Sequence, residues 1–127
     1  VTVEVSSVTS WSELAREGQA LEAQQLGDLT GAQREASVAN AGDATAAVAH
    51  GETQLQRLLA GSGAPILAAT DYVRAVPEMV RAHLPAGRRY LTLGTDGFGR
   101  SDTRAALRQF FGVDAQTIER AARQLLA

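Results

Sequence analysis

The 127-residue sequence contains no cysteine and no lysine, and holds only three prolines, one tryptophan and one methionine. Without cysteine there are no disulfides, thiolate nucleophiles or cysteine metal sites. Without lysine there is no Schiff base, no phosphate-loop lysine and no lysine general base, since all twelve basic residues are arginine. Aromatic residues make up 5% of the chain, and Leu, Ile, Val and Phe together number 29 against 24 alanines. Alanine buries little area, so a core can form but is lean. No apolar run approaches the roughly 18 residues that span a bilayer, and no charged-then-apolar secretory start is present. A net charge of −2 with no basic block argues against a nucleic-acid surface built on charge. These absences point to one soluble, cytoplasmic domain over 1–127 with few chemical tools.

What is there alternates in type. Val1–Ser10 interleaves valine with polar residues and is predicted as a strand. Ser10 and Glu13 fit a capping box opening a helix over about Trp11–Gln25, with Trp11, Leu14, Ala15, Leu21 and Leu26 on one stripe. Gly18 should weaken that helix by roughly 1 kcal/mol. Gly27–Gly51 holds eight alanines among 25 residues and reads as a variable surface excursion. Glu52–Ala60 is a predicted helix, Pro65–Thr70 a short buried parallel strand, and Val73–Leu84 a helix that Pro77 should kink or restart. Tyr90–Leu93 is the next strand. A glycine-rich loop leads to a helix carrying Leu107, Phe110 and Phe111, Gly112 stops it, and Asp114 can cap a final helix. The alternation predicts an α/β fold, a small, mostly parallel sheet covered by helices on both faces. Three strands are few for such a sheet, which suggests missing structure.

The loop Gly94–Asp102 joins a strand's carboxyl end to a helix, the usual ligand edge of an open α/β sheet. It is no dinucleotide fingerprint, because Asp102 stands where the third glycine belongs, and no hydrolase elbow. A tight turn with Ser101 or Asp102 as helix cap is the plainer reading. Arg100, Arg104 and Arg108 recur at spacings of four, which suits a solvated basic face. Arg88-Arg89 is too short for a nucleic-acid patch. Asp71 and Asp96 each follow a strand near a threonine; paired carboxylates could do acid–base work, but capping and loop hydrogen bonding fit both better. His50 and His83 stand 33 residues apart in the chain with no carboxylate at helical spacing, so no metal site is expected. Tyr72 reads as a core or interface aromatic. No catalytic, cofactor-binding or metal-binding set emerges.

At the level of words the sequence is more specific. Ser7–Gln19 (SVTSWSELAREGQ), Pro65–Tyr72 (PILAATDY), Val76–Leu84, Leu93–Asp102 (LGTDGFGRSD) and Thr103–Asp114 resemble the homodimeric pyruvate dehydrogenase component of bacterial 2-oxoacid dehydrogenase complexes, in its carboxyl-terminal domain. The resemblance covers about 100 residues, all but Gly27–Gly51. It implies a transketolase-like fold in which other domains or chains bind thiamine diphosphate and Mg²⁺ and carry the catalytic groups. The matched domain supports the dimer and shapes the active-site approach. It also implies that a strand and helix preceding the SVTS segment in the family lie outside this sequence.

The resulting expectation is a non-catalytic carboxyl-terminal segment or small subunit of a pyruvate dehydrogenase-type enzyme. Such an enzyme decarboxylates a 2-oxo acid and passes two carbons to a lipoyl group. Its interface or site-entrance loops would comprise Thr70, Asp71 and Tyr72, then Thr95, Asp96, Gly97, Phe98, Gly99, Arg100, Ser101 and Asp102. Partners would be the enzyme's other subunits or domains and a lipoyl or acyl carrier domain, with neither nucleic acid nor membrane. The alternatives are a hybrid that delivers its two-carbon unit to a carrier protein, and a free-standing module binding an anion or a carrier protein.

Overall fold

A computed structural model describes residues 2–30 and 51–127. Within them lie α1 (Trp11–Thr30), α2 (Gln54–Leu59), β1 (Ile66–Ala69), α3 (Ala75–Glu78), a 3₁₀ turn (Arg81–His83), β2 (Tyr90–Leu93), α4 (Arg104–Phe111) and α5 (Ala115–Leu126). Most of the expected excursion, with His50, falls outside the described residues; its first few residues instead extend α1 as far as Thr30.

Strands β1 and β2 pair in parallel, Ile66 opposite Tyr90 and Ala69 opposite Leu93. Alternation along a strand puts Ile66, Ala68, Tyr90 and Thr92 on one face and Leu67, Ala69, Leu91 and Leu93 on the other. The first face meets the cluster of Ala15, Leu55 and Val80, to which Trp11, Leu14, Leu59, Leu84 and Tyr90 add half-buried surface. Helix α5 packs against both strands. The expected small parallel α/β sheet is therefore present, but among the described residues it has two strands instead of three.

The missing strand is the first. Residues 2–10 form no strand, and Val3 and Val5 are 72% and 88% exposed. Alternating valines favour a sheet only when a neighbouring backbone supplies hydrogen bonds and a face to cover. Among the described residues no such neighbour is offered. The helix predicted over Val73–Leu84 is also broken. Pro77 is tolerated near the start of the four-residue α3, where its missing N–H is not required, and the chain then resumes as the 3₁₀ turn. Val80 is buried, but Val73 and Met79 are exposed.

Helix ends follow local chemistry. The Ser10 hydroxyl accepts from Glu13 N at 3.3 Å, while the Glu13 carboxylate pairs with Arg16 and leaves the box half closed. A complete box not anticipated from sequence opens α2, where Thr53 Oγ1 accepts from Gln56 N and Gln56 Oε1 from Thr53 N. Glu17 of α1 adds a long-range cap by accepting from Gln54 N at 3.0 Å. Asp114 caps α5 as expected, accepting from Gln116 N, Thr117 N and Thr117 Oγ1; these bonds hold its carboxyl below the usual carboxylate range. Gly112 ends α4 in the left-handed region at φ 68°.

A polar clamp ties the α3 turn to β2. Glu78 accepts from Arg81 through both carboxylate oxygens and from the buried Thr92 hydroxyl. Arg81 also donates to Tyr90 O at 3.1 Å and stacks over the Tyr90 ring at 4.9 Å. Tyr90 in turn donates its hydroxyl to Pro77 O at 2.8 Å. Bonds from Arg81 first, and from Thr92 second, lower the Glu78 pKa from 4.5 to about 2. Burial pushes the Tyr90 phenol up to about 12.

Two outcomes are expected. Folding lowers the Glu78 pKa, so the clamp's contribution is complete above pH 4.5 and fades as the pH falls from there toward 2. Glu78→Gln should flatten that acid limb in denaturant titrations, and an unchanged limb would show that other carboxylates carry it. At Gly18 a Cβ would lie 2.2 Å from His83 Cγ. Gly18→Ala gains about 1 kcal/mol of helix propensity, but overpacking of this kind costs about 1–3 kcal/mol. A net loss of stability is expected, relieved by adding His83→Ala; a higher melting temperature in the single variant would refute the steric account.

Candidate functional site

The parallel register delivers two loops to one end of the sheet. Residues 70–74 follow β1 and residues 94–102 follow β2, and Thr70 N still donates to Leu93 O at 3.0 Å as the strands end. Beyond that point the loops are stitched together. Thr95 N donates to Tyr72 O at 2.8 Å and Thr95 Oγ1 to Asp71 O at 3.1 Å. Tyr72 N donates to Thr70 Oγ1 at 3.2 Å. Asp96 grips Arg74 twice at 2.8 Å, accepting from its backbone N and from its Nε.

Glycine is needed at Gly94 because a Cβ there would sit 2.7 Å from Tyr72 O and 2.9 Å from Arg74 N, both backbone atoms. Gly97 turns the loop at φ 110°, a conformation that other residues rarely adopt. Between Gly97 and Gly99, Phe98 is carried outward and is 98% exposed. Arg100 folds back, its guanidinium 4.4 Å from the Phe110 ring centroid, and Phe110 meets Phe111 edge to face at 5.0 Å. Beside them lies an open groove of about 380 Å³, bounded by Arg74, Leu93, Gly94, Phe110, Phe111 and Thr117 among others.

Each residue named from sequence can now be placed. Thr70, Asp71, Tyr72, Thr95 and Asp96 do come together, through the contacts above. Gly97, Phe98, Gly99, Arg100, Ser101 and Asp102 continue as an exposed rim. Tyr72 is 64% exposed, which removes the core alternative for it. The helix cap is neither Ser101 nor Asp102. Thr103 caps α4, accepting from Ala106 N at 3.3 Å, because the first helical residue is Arg104. Asp102 accepts from Thr103 N at 2.8 Å and so places a carboxylate at the helix's positive end, where it disfavours a bound anion. Arg100 precedes α4 and does not share its face with Arg104 and Arg108. Sequence reasoning missed Arg74, which turns Asp96 from a candidate base into a structural partner. An arginine four residues after Thr70 was visible, but only the strand register shows that it faces a loop 22 positions away.

Chemically the arrangement holds loops and presents surface. The Asp96 carboxylate is committed to Arg74, and no three His, Cys, Asp or Glu side chains among the described residues are placed to hold a metal ion. A diphosphate bound through Mg²⁺ needs several oxygen ligands, so these loops do not fit thiamine diphosphate with Mg²⁺. No helix among the described residues is long and apolar enough to cross a membrane.

The parallel strand pair, with its carboxyl-edge loops fixed to each other and helices packed against it, is a small α/β domain. Residues 1–114 match the transketolase-like TK C-terminal domain family, and the chain belongs to that family. Among curated relatives, it is 41% identical over its whole length to the pyruvate dehydrogenase E1 component of Mycolicibacterium smegmatis, covering 12% of that protein. It is 43% identical over 118 residues, 93% of the chain, to the corresponding protein of Cupriavidus necator, covering 11% of it. It is 40% identical over its whole length to that of Haemophilus influenzae, again covering 12%. The chain thus spans about an eighth of these relatives' length.

The Arg74–Asp96 pair has side chains about half exposed, so its charge attraction is worth at most about 1 kcal/mol. Gly94→Ala, which forces backbone apart, should therefore cost more stability than Asp96→Asn. Parallel melting curves check the order, and equal losses would show that the loops have room to separate.

Proposed function

We propose that these residues are a non-catalytic carboxyl-terminal segment or small subunit of a thiamine-diphosphate-dependent enzyme of pyruvate dehydrogenase type. In that reading the thiamine chemistry belongs to other domains or chains. It supplies decarboxylation of a 2-oxo acid and transfer of the two-carbon unit to a lipoyl group. The residues described here hold two loops in register and present them to the rest of the enzyme, where they support assembly and border the approach to the active site. The carrying observation is the pairing of a tightly stitched loop base with an outward apolar rim: Tyr72, Val73 and Phe98 are exposed, while the Tyr72 and Val73 carbonyls accept from Thr95 N and Val76 N. Surfaces of this kind mark interaction sites. Similarity to proteins roughly eight times longer supports the same reading.

The test uses the natural polypeptide or assembly that contains residues 1–127. Charged substitutions Tyr72→Asp and Phe98→Asp together should lower the assembled fraction in sedimentation and raise KM for the 2-oxo acid, while the α-helical signal stays unchanged. Wild-type assembly and kinetics in that double variant would refute docking through these loops. Turnover of a 2-oxo acid by residues 1–127 alone would refute the non-catalytic assignment.

A further inference from the structure

Asp96-Gly97 is the one Asp–Gly step in the sequence. Such a step carries its own chemistry. The backbone nitrogen of the following residue can attack the aspartate Cγ and close a five-membered ring, and glycine has no Cβ to obstruct the closure. A Cβ built at Gly97 would meet nothing within 4 Å, so the loop is open on that side. The Asp96 side chain is 50% exposed, and water reaches it. One contact opposes the reaction. Both Asp96 oxygens are held at 2.8 Å, one by the Arg74 backbone N and the other by Arg74 Nε. Ring closure expels one carboxyl oxygen as water, so at least one of these bonds must break first. Arg74 is itself fixed: its carbonyl accepts from Glu78 N at 3.1 Å, and its Cγ would lie 2.8 Å from a Cβ at Gly94.

We propose that Asp96-Gly97 is a site of isoaspartate formation and that Arg74 restrains it. A bond forms between Gly97 N and Asp96 Cγ while one Cγ–O bond breaks. The departing oxygen leaves as water, with the amide proton and one proton taken up from solvent. Water then opens the succinimide ring. Addition at Cγ restores aspartate. Addition at the main-chain carbonyl carbon leaves the chain running through Cβ and Cγ, with a free carboxylate on Cα. Composition is unchanged overall, and no oxidant or cofactor enters. The product has a longer backbone and a shorter acidic arm, so the geometry of the two bonds to Arg74 is lost and residues 97–102 leave the sheet in another direction. The proposal does not rest on the docking role given above.

The experiment incubates the natural polypeptide or assembly containing residues 1–127 at neutral pH. Isoaspartate is read by enzymatic carboxyl methylation and placed by tandem mass spectrometry, with a free peptide of residues 93–102 as reference. Isoaspartate should accumulate at Asp96 ahead of Asp71, Asp102 and Asp114, and more slowly than in the peptide. Arg74→Gln should raise the Asp96 rate up to about fivefold, the factor that corresponds to about 1 kcal/mol for a half-exposed pair. Gly18→Ala strains the fold elsewhere and keeps Arg74, so it should leave that rate unchanged. A rate in the intact protein equal to the peptide's, or one in Arg74→Gln no higher than in Gly18→Ala, would overturn the restraint. No isoaspartate at Asp96 even in Arg74→Gln would overturn the site itself.

Discussion

Two strands of four residues each, paired in parallel, fix where everything else can be. The register that sets Ile66 against Tyr90 also sets Thr70 beside Leu93, and so carries residues 70–74 and 94–102 to one end of the sheet. A two-stranded parallel sheet is weak in isolation and needs cover on its faces and edges. Here β2 gains that support from a single turn. Glu78 and Arg81 bind each other, the Thr92 hydroxyl and the Tyr90 carbonyl, and Tyr90 returns a hydrogen bond to Pro77. The Pro77 carbonyl thus accepts both from Val80 N within the turn and from the Tyr90 hydroxyl of the strand. The break in α3 and the anchoring of β2 are one feature seen from two sides.

Close approach is the second constraint. Gly18 lets the His83 ring lie against α1, and Gly94 lets one strand-end loop lie against the backbone of the other. Both glycines cost conformational entropy, and the first also weakens a helix. The cost is offset by contacts that any side chain would exclude. In an alanine-rich chain with few large apolar residues, bringing backbones near each other replaces some of the burial that bulkier side chains supply elsewhere.

Much of this was legible in the residues. Ser10, Asp114 and Gly112 act at helix ends as their local chemistry requires, and the apolar runs 65–70 and 90–93 contain both strands. The glycine loop also falls where alternation of elements put it. What was not legible depends on partners distant in sequence. Val1–Ser10 has a strand's pattern, but pattern alone provides no neighbour, and its described part stays unpaired. Loop hydrogen bonding is the role that the sequence favours for Asp96, but its partner, Arg74, lies across on the other loop. The Glu78–Arg81–Thr92 clamp joins a turn to a strand 14 residues away, and the Thr53 box was hidden by the alanine-rich stretch before it. Capping is a property of neighbours in sequence, whereas clamping is a property of register.

In the proposed reading, the loops border an active site without supplying its reacting groups. The exposed Arg74–Asp96 pair adds little stability because water screens it. Its two bonds to one arginine, backbone N and Nε together, instead fix the direction in which the loop leaves the sheet. Direction matters because a shift of about 1 Å in a positioning element can slow a reaction a hundredfold. Aromatic side chains such as Tyr72 and Phe98 then become useful through exposure: they lose no core contact by facing outward, and a partner that covers them gains apolar area held in a preset orientation. In the proposed reading the fixed base removes an ordering cost that docking would otherwise incur, and the exposed rim supplies the surface for it.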